Sequence, residues 1–377
     1  AMMFVLSALA FFVLLTLLVL IHEFGHYAVA RWMGVSVEEF GFGLPPRAKV
    51  LFTLRGTIFS LNTIPFGGFV RLRGEASVDP LERNRPGSFT AASIPARLGI
   101  LVAGVVMNFL LAVVILSSGF ALWRWVPTYL SLDSLEAGAA RGEVDVTWNL
   151  YVSEVVEGSK AEEAGVLSDA ILAAVNGIPV TKVGEVLELQ TGTSSVEYTL
   201  RTGKEFTEEK RVSVTVENGK TGVALSEFAS MIRGRRHSLL EAVRLSFRET
   251  WTVMVQTVQG AGKLFTSVLL QGRVPKGITG IVGIAQLTHA SIQEGFLTYL
   301  RLVALLSLSL AALNVLPFPA LDGGRILFVL VEMLTGRPMH RRFEIITNAL
   351  GFAVILALIT VVTLNDLFHL FSPAQYP

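Results

Sequence analysis

A polytopic α-helical membrane protein with one soluble α+β domain is the fold class the sequence predicts, on three observations. The 377-residue chain is 52% hydrophobic and only 16% charged. Its mean hydropathy of +0.58 is too high for an ordinary soluble domain. Four uncharged stretches, Met2–Ile21, Leu98–Trp123, Leu302–Leu321 and Ile345–Leu364, are each long enough to cross a bilayer, which takes roughly 20 residues. Between the second and third stretches the composition turns polar and β-rich, from Tyr151 to about Leu225. Other classes fall away. A net charge of +1 without a basic block speaks against nucleic acid. With no cysteine there is no disulfide, thiolate nucleophile or Cys-type zinc finger, so any metal must be held by His, Asp or Glu.

Residues 1–31 form the first expected spanning helix. It lacks a basic leader and a small-residue cleavage site, so it reads as a retained helix and not a signal peptide. At its end stands "VLIHEFGHYAV", Val19 to Val29. Residues four apart lie on one helix face, so His22 and His26 stack with Glu23 beside them. In this H-E-x-x-H pattern two imidazoles take a zinc ion and the glutamate serves as general base. Ionisable groups at membrane depth are costly and usually functional. Chance histidines in a loop are the bland alternative.

Residues 32–96 form a loop region with alternating strands, followed by a second span over 97–124. Arg31, Arg47, Lys49, Arg55, Arg71, Arg73, Arg83, Arg85 and Arg97 lie between the first two spans; Arg325, Arg337, Arg341 and Arg342 lie between the last two. By the positive-inside rule both termini, and the long segment between spans two and three, are outside. After a linker over 125–150, the soluble domain occupies 151–228. In 229–300, Leu240, Val243, Phe247, Trp251, Met254, Val258, Ala261 and Phe265 recur at helical spacing. That pattern suits an amphipathic helix on the outer leaflet or one packed on the soluble domain.

The third span covers 301–323, a cytoplasmic loop 324–344, and the fourth span with its tail 345–377. A catalytic zinc needs a third protein ligand and one open position. Glu38 and Glu39 follow the first motif, but "NVLPFPALDGGR", Asn314 to Arg325, offers the better candidate. Asp322 is the first charge after twenty uncharged residues. Spans one and three run in the same direction, so His22, His26 and Asp322 reach one depth. A helix-stop turn before Gly323 and Gly324 is the alternative. His237, His289, His340 and His369 lack partners at ligand spacing and read as surface or interfacial residues.

"HEFGH" paired with "NVLPFPALDGGR" resembles the site-2 protease family of intramembrane zinc metalloproteases, in its bacterial branch, over most of the chain. The N-x-x-P-x-P-x-L-D-G match is complete. The resemblance implies one catalytic Zn²⁺ held by His22, His26 and Asp322, with Glu23 as catalytic base. "GFGLPPRAKV…TIFSLNTIPFGGFVRLRGE" resembles the family's membrane-dipping β-hairpin, bent at Gly67 and Gly68. Substrate backbone is expected on that hairpin's 58–70 edge and on the Asn314 amide. "AGVVMNF" departs from the family's A-G-P-x-x-N-F, with Val105 for proline, while Asn108 remains. "GSKAEEAGVLSDAILAAVNGIPV", Gly158 to Val180, resembles a PDZ domain, with Asp169-Ala170 for the usual Gly-Asp turn. Such a domain binds a peptide by strand addition or serves as a cap that limits access.

The implied activity is cleavage of single-span membrane proteins within the lipid bilayer of a bacterial inner membrane. Pre-trimmed anti-sigma factors or remnant signal peptides would be substrates. Two rivals predict otherwise. A transporter would show paired interrupted helices, and no inverted repeat is visible. An adaptor that has lost catalysis would have no need of Glu23.

Overall fold

The computed structural model describes residues 2–371, apart from 76, 78, 204, 205, 218, 276 and 338. His369 has its side chain outside the described residues. The chain divides into two units, residues 1–119 with 239–377, and residues 120–238.

The first unit opens with α1 (Met2–Trp32), followed by β1 (Val37–Leu54), β2 (Thr57–Leu72), a single turn α2 (Pro80–Arg83) and α3 (Ile94–Leu122). β1 and β2 pair antiparallel, as the expected hairpin requires, and add a second layer of pairing. Phe40 pairs with both Val70 and Phe59, and Gly41 with both Phe69 and Ser60. Residues 39–42 therefore lie between two segments of β2, 58–61 and 68–71. Segment 58–61 in turn pairs outward with residues 49–53. Strand β2 doubles back through Gly67, whose φ of +74° is one that glycine adopts without a Cβ penalty. Of the expected 58–70 edge, then, residues 58–61 are paired on both sides, whereas the 68–71 segment is paired on one. Where this sheet meets α1 and α3, Ala30, Val35, Val37, Leu72, Phe89, Ile100 and Leu101 form an apolar cluster. α3 runs unbroken through Val105, where a proline would have removed a backbone bond.

The second unit holds α4 (Leu132–Ala140), β3 (Val144–Val155), α5 (Lys160–Glu163), β4 (Ala170–Val175), β5 (Ile178–Pro179), α6 (Val183–Gln190), β6 (Ser195–Thr202), β7 (Glu208–Thr215) and β8 (Val223–Gly234). Its sheet has the order β7-β6-β4-β3-β8, with β5 on β4. Alternation along the strands buries one face. Leu150, Leu172, Val196, Tyr198, Leu200 and Val214 make its core. Asp169 holds a φ of +60° and accepts a 2.5 Å hydrogen bond from the Tyr151 hydroxyl.

The chain then returns to the first unit with α7 (Leu239–Gln271), α8 (Ile281–Glu294), α9 (Phe296–Val315), α10 (Asp322–Thr335) and α11 (Arg341–Phe371). Four helices, α1, α3, α9 and residues 341–368 of α11, are long and apolar enough to cross a membrane. The chain is an integral membrane protein with a sheet domain. α7 keeps much of the expected apolar stripe exposed, with Leu240, Phe247 and Trp251 outward. It runs along spanning helices with another face, Ala242, Leu245, Ser246, Glu249 and Thr250. Ser246 meets Ser117 of α3 at 2.8 Å, the Phe247 and Phe109 rings stand 5.5 Å apart, and Arg301 of α9 reaches buried Glu249. α9 also ends earlier than the expected span, at Val315. Pro317 and Pro319 cannot supply helical N–H donors, so residues 316–321 form a break.

Candidate active site

His22 and His26 lie on the buried face of α1, 6% and 8% exposed. Their Nε2 atoms are 3.1 Å apart. Asp322 Oδ2 stands 2.9 Å from His22 Nε2 and 3.3 Å from His26 Nε2. Asp322 arrives differently from the reading above. It is the first residue of α10, set beyond the proline break, and not the inner end of the third span. The break is compact because the next two residues have no side chains. A Cβ at Gly323 would stand 2.1 Å from the Leu316 carbonyl oxygen, and one at Gly324 2.3 Å from that of Phe318.

The opposite wall is α3, and it is built from backbone. A Cβ at Gly104 would lie 2.5 Å from His26 Nε2 and 2.8 Å from His22 Nε2, so only glycine leaves room for both rings. One helix turn earlier, the Ile100 carbonyl accepts a 2.7 Å hydrogen bond from His26 Nδ1. On α1, a Cβ at Gly25 would meet the Ala103 carbonyl oxygen at 2.4 Å. The two helices thus touch backbone to backbone, as small residues permit in membranes. The sequence stretch "AGVVMNF" contains Gly104 but does not place it against the two rings, nor does the sequence show the role of the Ile100 carbonyl. A glycine four residues before a polar residue in an apolar span was the available signal.

This donor set fits a zinc ion. With Nδ1 donating to Ile100, neutral His26 turns a lone pair at Nε2 toward its neighbours. Asp322 Oδ2 is buried and makes no hydrogen bond, although two imidazole nitrogens surround it. With both imidazoles neutral and their Nε2 lone pairs free, a cation between them and the carboxylate would be held by three electron-pair donors. His22, His26 and Asp322 are a group that could hold a metal ion.

Glu23 lines a cavity of about 170 Å³ beside the cluster, together with His26, Asp322, Phe69, Val70 and Arg325. Val70 of the returning strand lines the same cavity as the Glu23 carboxylate. A Cβ on Gly68 would lie 2.9 Å from Leu20 and 3.9 Å from Glu23 Cγ, so the returning strand rests on α1 at the general-base candidate. Gly67 is further off, 3.8 Å from Val19 by the same measure. Asn314 sits half-buried in the last turn of α9. Among the described residues its amide makes no hydrogen bond to the cluster. Glu38 and Glu39 are elsewhere. Arg47 clamps Glu39 through two hydrogen bonds of 2.7 and 2.6 Å, Arg71 adds a third contact, and Glu38 faces Arg73. Those arginines, with Arg47 largest, hold the Glu39 carboxyl below the usual carboxylate range despite its burial.

The profile of peptidase family M50 matches residues 10–358. A protein of Rhizobium meliloti, provisionally named a zinc metalloprotease, is 29% identical, covering 96% of both chains. Provisional zinc metalloproteases of Mesorhizobium japonicum and Rickettsia conorii are each 30% identical, covering 97% of this chain and 100% of their own.

Proposed function

The chain belongs to peptidase family M50 and is a membrane zinc metalloprotease; from that premise we propose that His22, His26 and Asp322 are the zinc ligands and Glu23 the general base. The observation that carries this reading is the convergence of the three donor atoms within 3.3 Å of one another, with two of them on a spanning helix. Zinc bound there would supply Lewis acidity, activating water near neutral pH and polarising a peptide carbonyl. The residues do the rest. Glu23, in the cavity beside His26 and Asp322, takes the proton of the attacking water and delivers it to the leaving amine. His26 is held in register by the Ile100 carbonyl. Asp322 adds a fixed negative charge that balances the cation.

The position of the cluster within α1 supports a substrate segment in the membrane, and the family resemblance implies that it belongs to a single-span protein. A helical substrate has to unwind, and its freed backbone groups need partners in lipid. The 68–71 segment offers them, since it is paired on one side, lies next to Glu23 and contributes Phe69 and Val70 to the cavity. Asn314 serves one of the remaining substrate carbonyls. Pre-trimmed anti-sigma factors and remnant signal peptides both fit such a site.

The arginine-rich loops support a cytoplasmic site with both termini and the sheet domain outside a bacterial inner membrane. The sheet domain is read as PDZ-like. Its β8 ends the sheet order and is tied to α6 by a 2.8 Å hydrogen bond from Val183 N–H to Glu227, leaving an edge to which a peptide could add or a cap that filters by size.

The test is zinc content together with cleavage of a single-span substrate in detergent, for native chain and Glu23→Gln. Glu23→Gln should keep its zinc and lose about 10²–10⁴-fold in rate. Native cleavage by the variant would remove Glu23 from the chemistry. Zinc missing from both would favour an adaptor.

A further inference from the structure

Asn108 is fully buried in the middle of α3, the lone non-hydroxyl polar side chain between Gly99 and Leu116. An amide in an apolar span is costly unless it has a partner. Its nearest one is His22, whose Nδ1 lies 3.4 Å from Asn108 Nδ2. In that orientation the amide oxygen is buried without any hydrogen bond. It would also force the His22 proton onto Nε2, the nitrogen 2.9 Å from Asp322, and so block the lone pair a metal needs. The two ends of an amide have nearly the same shape, and their assignment follows the hydrogen-bond network. Turned by 180°, the oxygen takes up the position facing Nδ1, accepts its proton and leaves Nε2 free.

We propose that Asn108 is a positioning residue for the metal site, its amide oxygen accepting the His22 Nδ1 proton and fixing the ring and tautomer that ligate. The reading rests on His22 being a zinc ligand. Ile100, Gly104 and Asn108 are spaced by four residues and so share one face of α3. Along it, the Ile100 carbonyl orients His26, Gly104 admits both rings, and Asn108 orients His22. Asn108 is itself anchored, since the Ser307 hydroxyl of α9 donates to its backbone carbonyl at 2.9 Å. Outer-shell acceptors of this kind are worth roughly 10–100-fold in metal affinity.

The experiment measures zinc affinity by chelator competition, and the visible spectrum of the Co²⁺-loaded protein, for intact chains in detergent. Asn108→Leu, similar in size but without an acceptor, should bind zinc roughly 10–100-fold more weakly and shift the Co²⁺ bands. Asn108→Asp, which can only accept, should restore both. His22→Ala and Asp322→Ala report on the ligand reading itself. If those two lose zinc while Asn108→Leu keeps native affinity and spectrum, the role of Asn108 is wrong and the ligands stand. If Asn108→Asp behaves like Asn108→Leu, the amide acts as a donor or only as packing, and the proposal also fails. If His22→Ala and Asp322→Ala keep native zinc, the ligand assignment falls and this inference with it.

Discussion

In residues 120–238 the core is made of large apolar side chains: Leu150, Leu172, Tyr198 and Leu200 are almost wholly buried. Around the metal cluster, the closest contacts are made by residues with no side chain at all: Gly25 and Gly104 between α1 and α3, Gly323 and Gly324 behind Asp322. The difference follows from the solvent each part meets. A sheet in water gains free energy by removing apolar area. Helices in lipid gain nothing that way, because the surrounding chains are as apolar as leucine, and they associate through close packing and a few polar pairs. Packing of that kind sets positions tightly and has no slack for one added methyl group.

The comparison breaks most severely at Gly104. Gly104→Ala puts a carbon 2.5 and 2.8 Å from the His26 and His22 Nε2 atoms, and if those are the zinc ligands the purified protein should lose most of its zinc by metal analysis. Gly99→Ala, on the same helix, meets nothing closer than 3.8 Å and should keep a full complement. Equal zinc in both would mean that α3 does not shape the site. The counterpart in the sheet is Leu172→Ala, which leaves a cavity in a well-packed core and should cost about 2–5 kcal/mol. Hydrogen exchange on the intact chain should then show lost protection across β4 and β6, with zinc content unchanged. A loss of zinc on that substitution would mean that the two units are energetically coupled.

The same contrast explains what could be read from the sequence. His22, Glu23 and His26 are legible because i, i+4 spacing is a local property of a helix. Asp322 was legible through charge scarcity, since it breaks a run of twenty uncharged residues. Its setting was not. Hydropathy continues smoothly across Val315, and the two prolines count for little in a window average although they end the helix. The antiparallel β1–β2 hairpin and its Gly67 turn were legible, but its double pairing was not, because alternation predicts strands and not their partners, and residues 39–42 take partners on both sides. Gly104 stands in the quoted "AGVVMNF" stretch, but its role was not legible, since its importance lies in what stands opposite, on a helix some eighty residues away. For α7 the periodicity finds the stripe that stays largely exposed, with Leu240, Phe247 and Trp251 outward, and misses the face that packs. That face is Ala242, Leu245, Ser246, Glu249 and Thr250, and its serine, threonine and glutamate are unremarkable in sequence.

That last point yields the smallest effect and a sharp one. If α7 is packed on α3, the buried hydroxyls of Ser246 and Ser117, 2.8 Å apart, should be coupled. In a double-mutant cycle of Ser117→Ala and Ser246→Ala the interaction term should be about 0.6 kcal/mol, the average for interhelical hydrogen bonds in membranes, read from unfolding in mixed detergent. A hydrogen bond adds little there because each helix, once separated, finds other partners for its hydroxyl, Ser246 already donating to the Val243 carbonyl. The chain has no cysteine, so cysteines introduced at Ser117 and Ser246 would form the sole pair and can be cross-linked without background. A measurable coupling with efficient cross-linking puts α7 among the spanning helices. No coupling and no cross-link would return it to the leaflet surface, where the periodicity alone had left room for it.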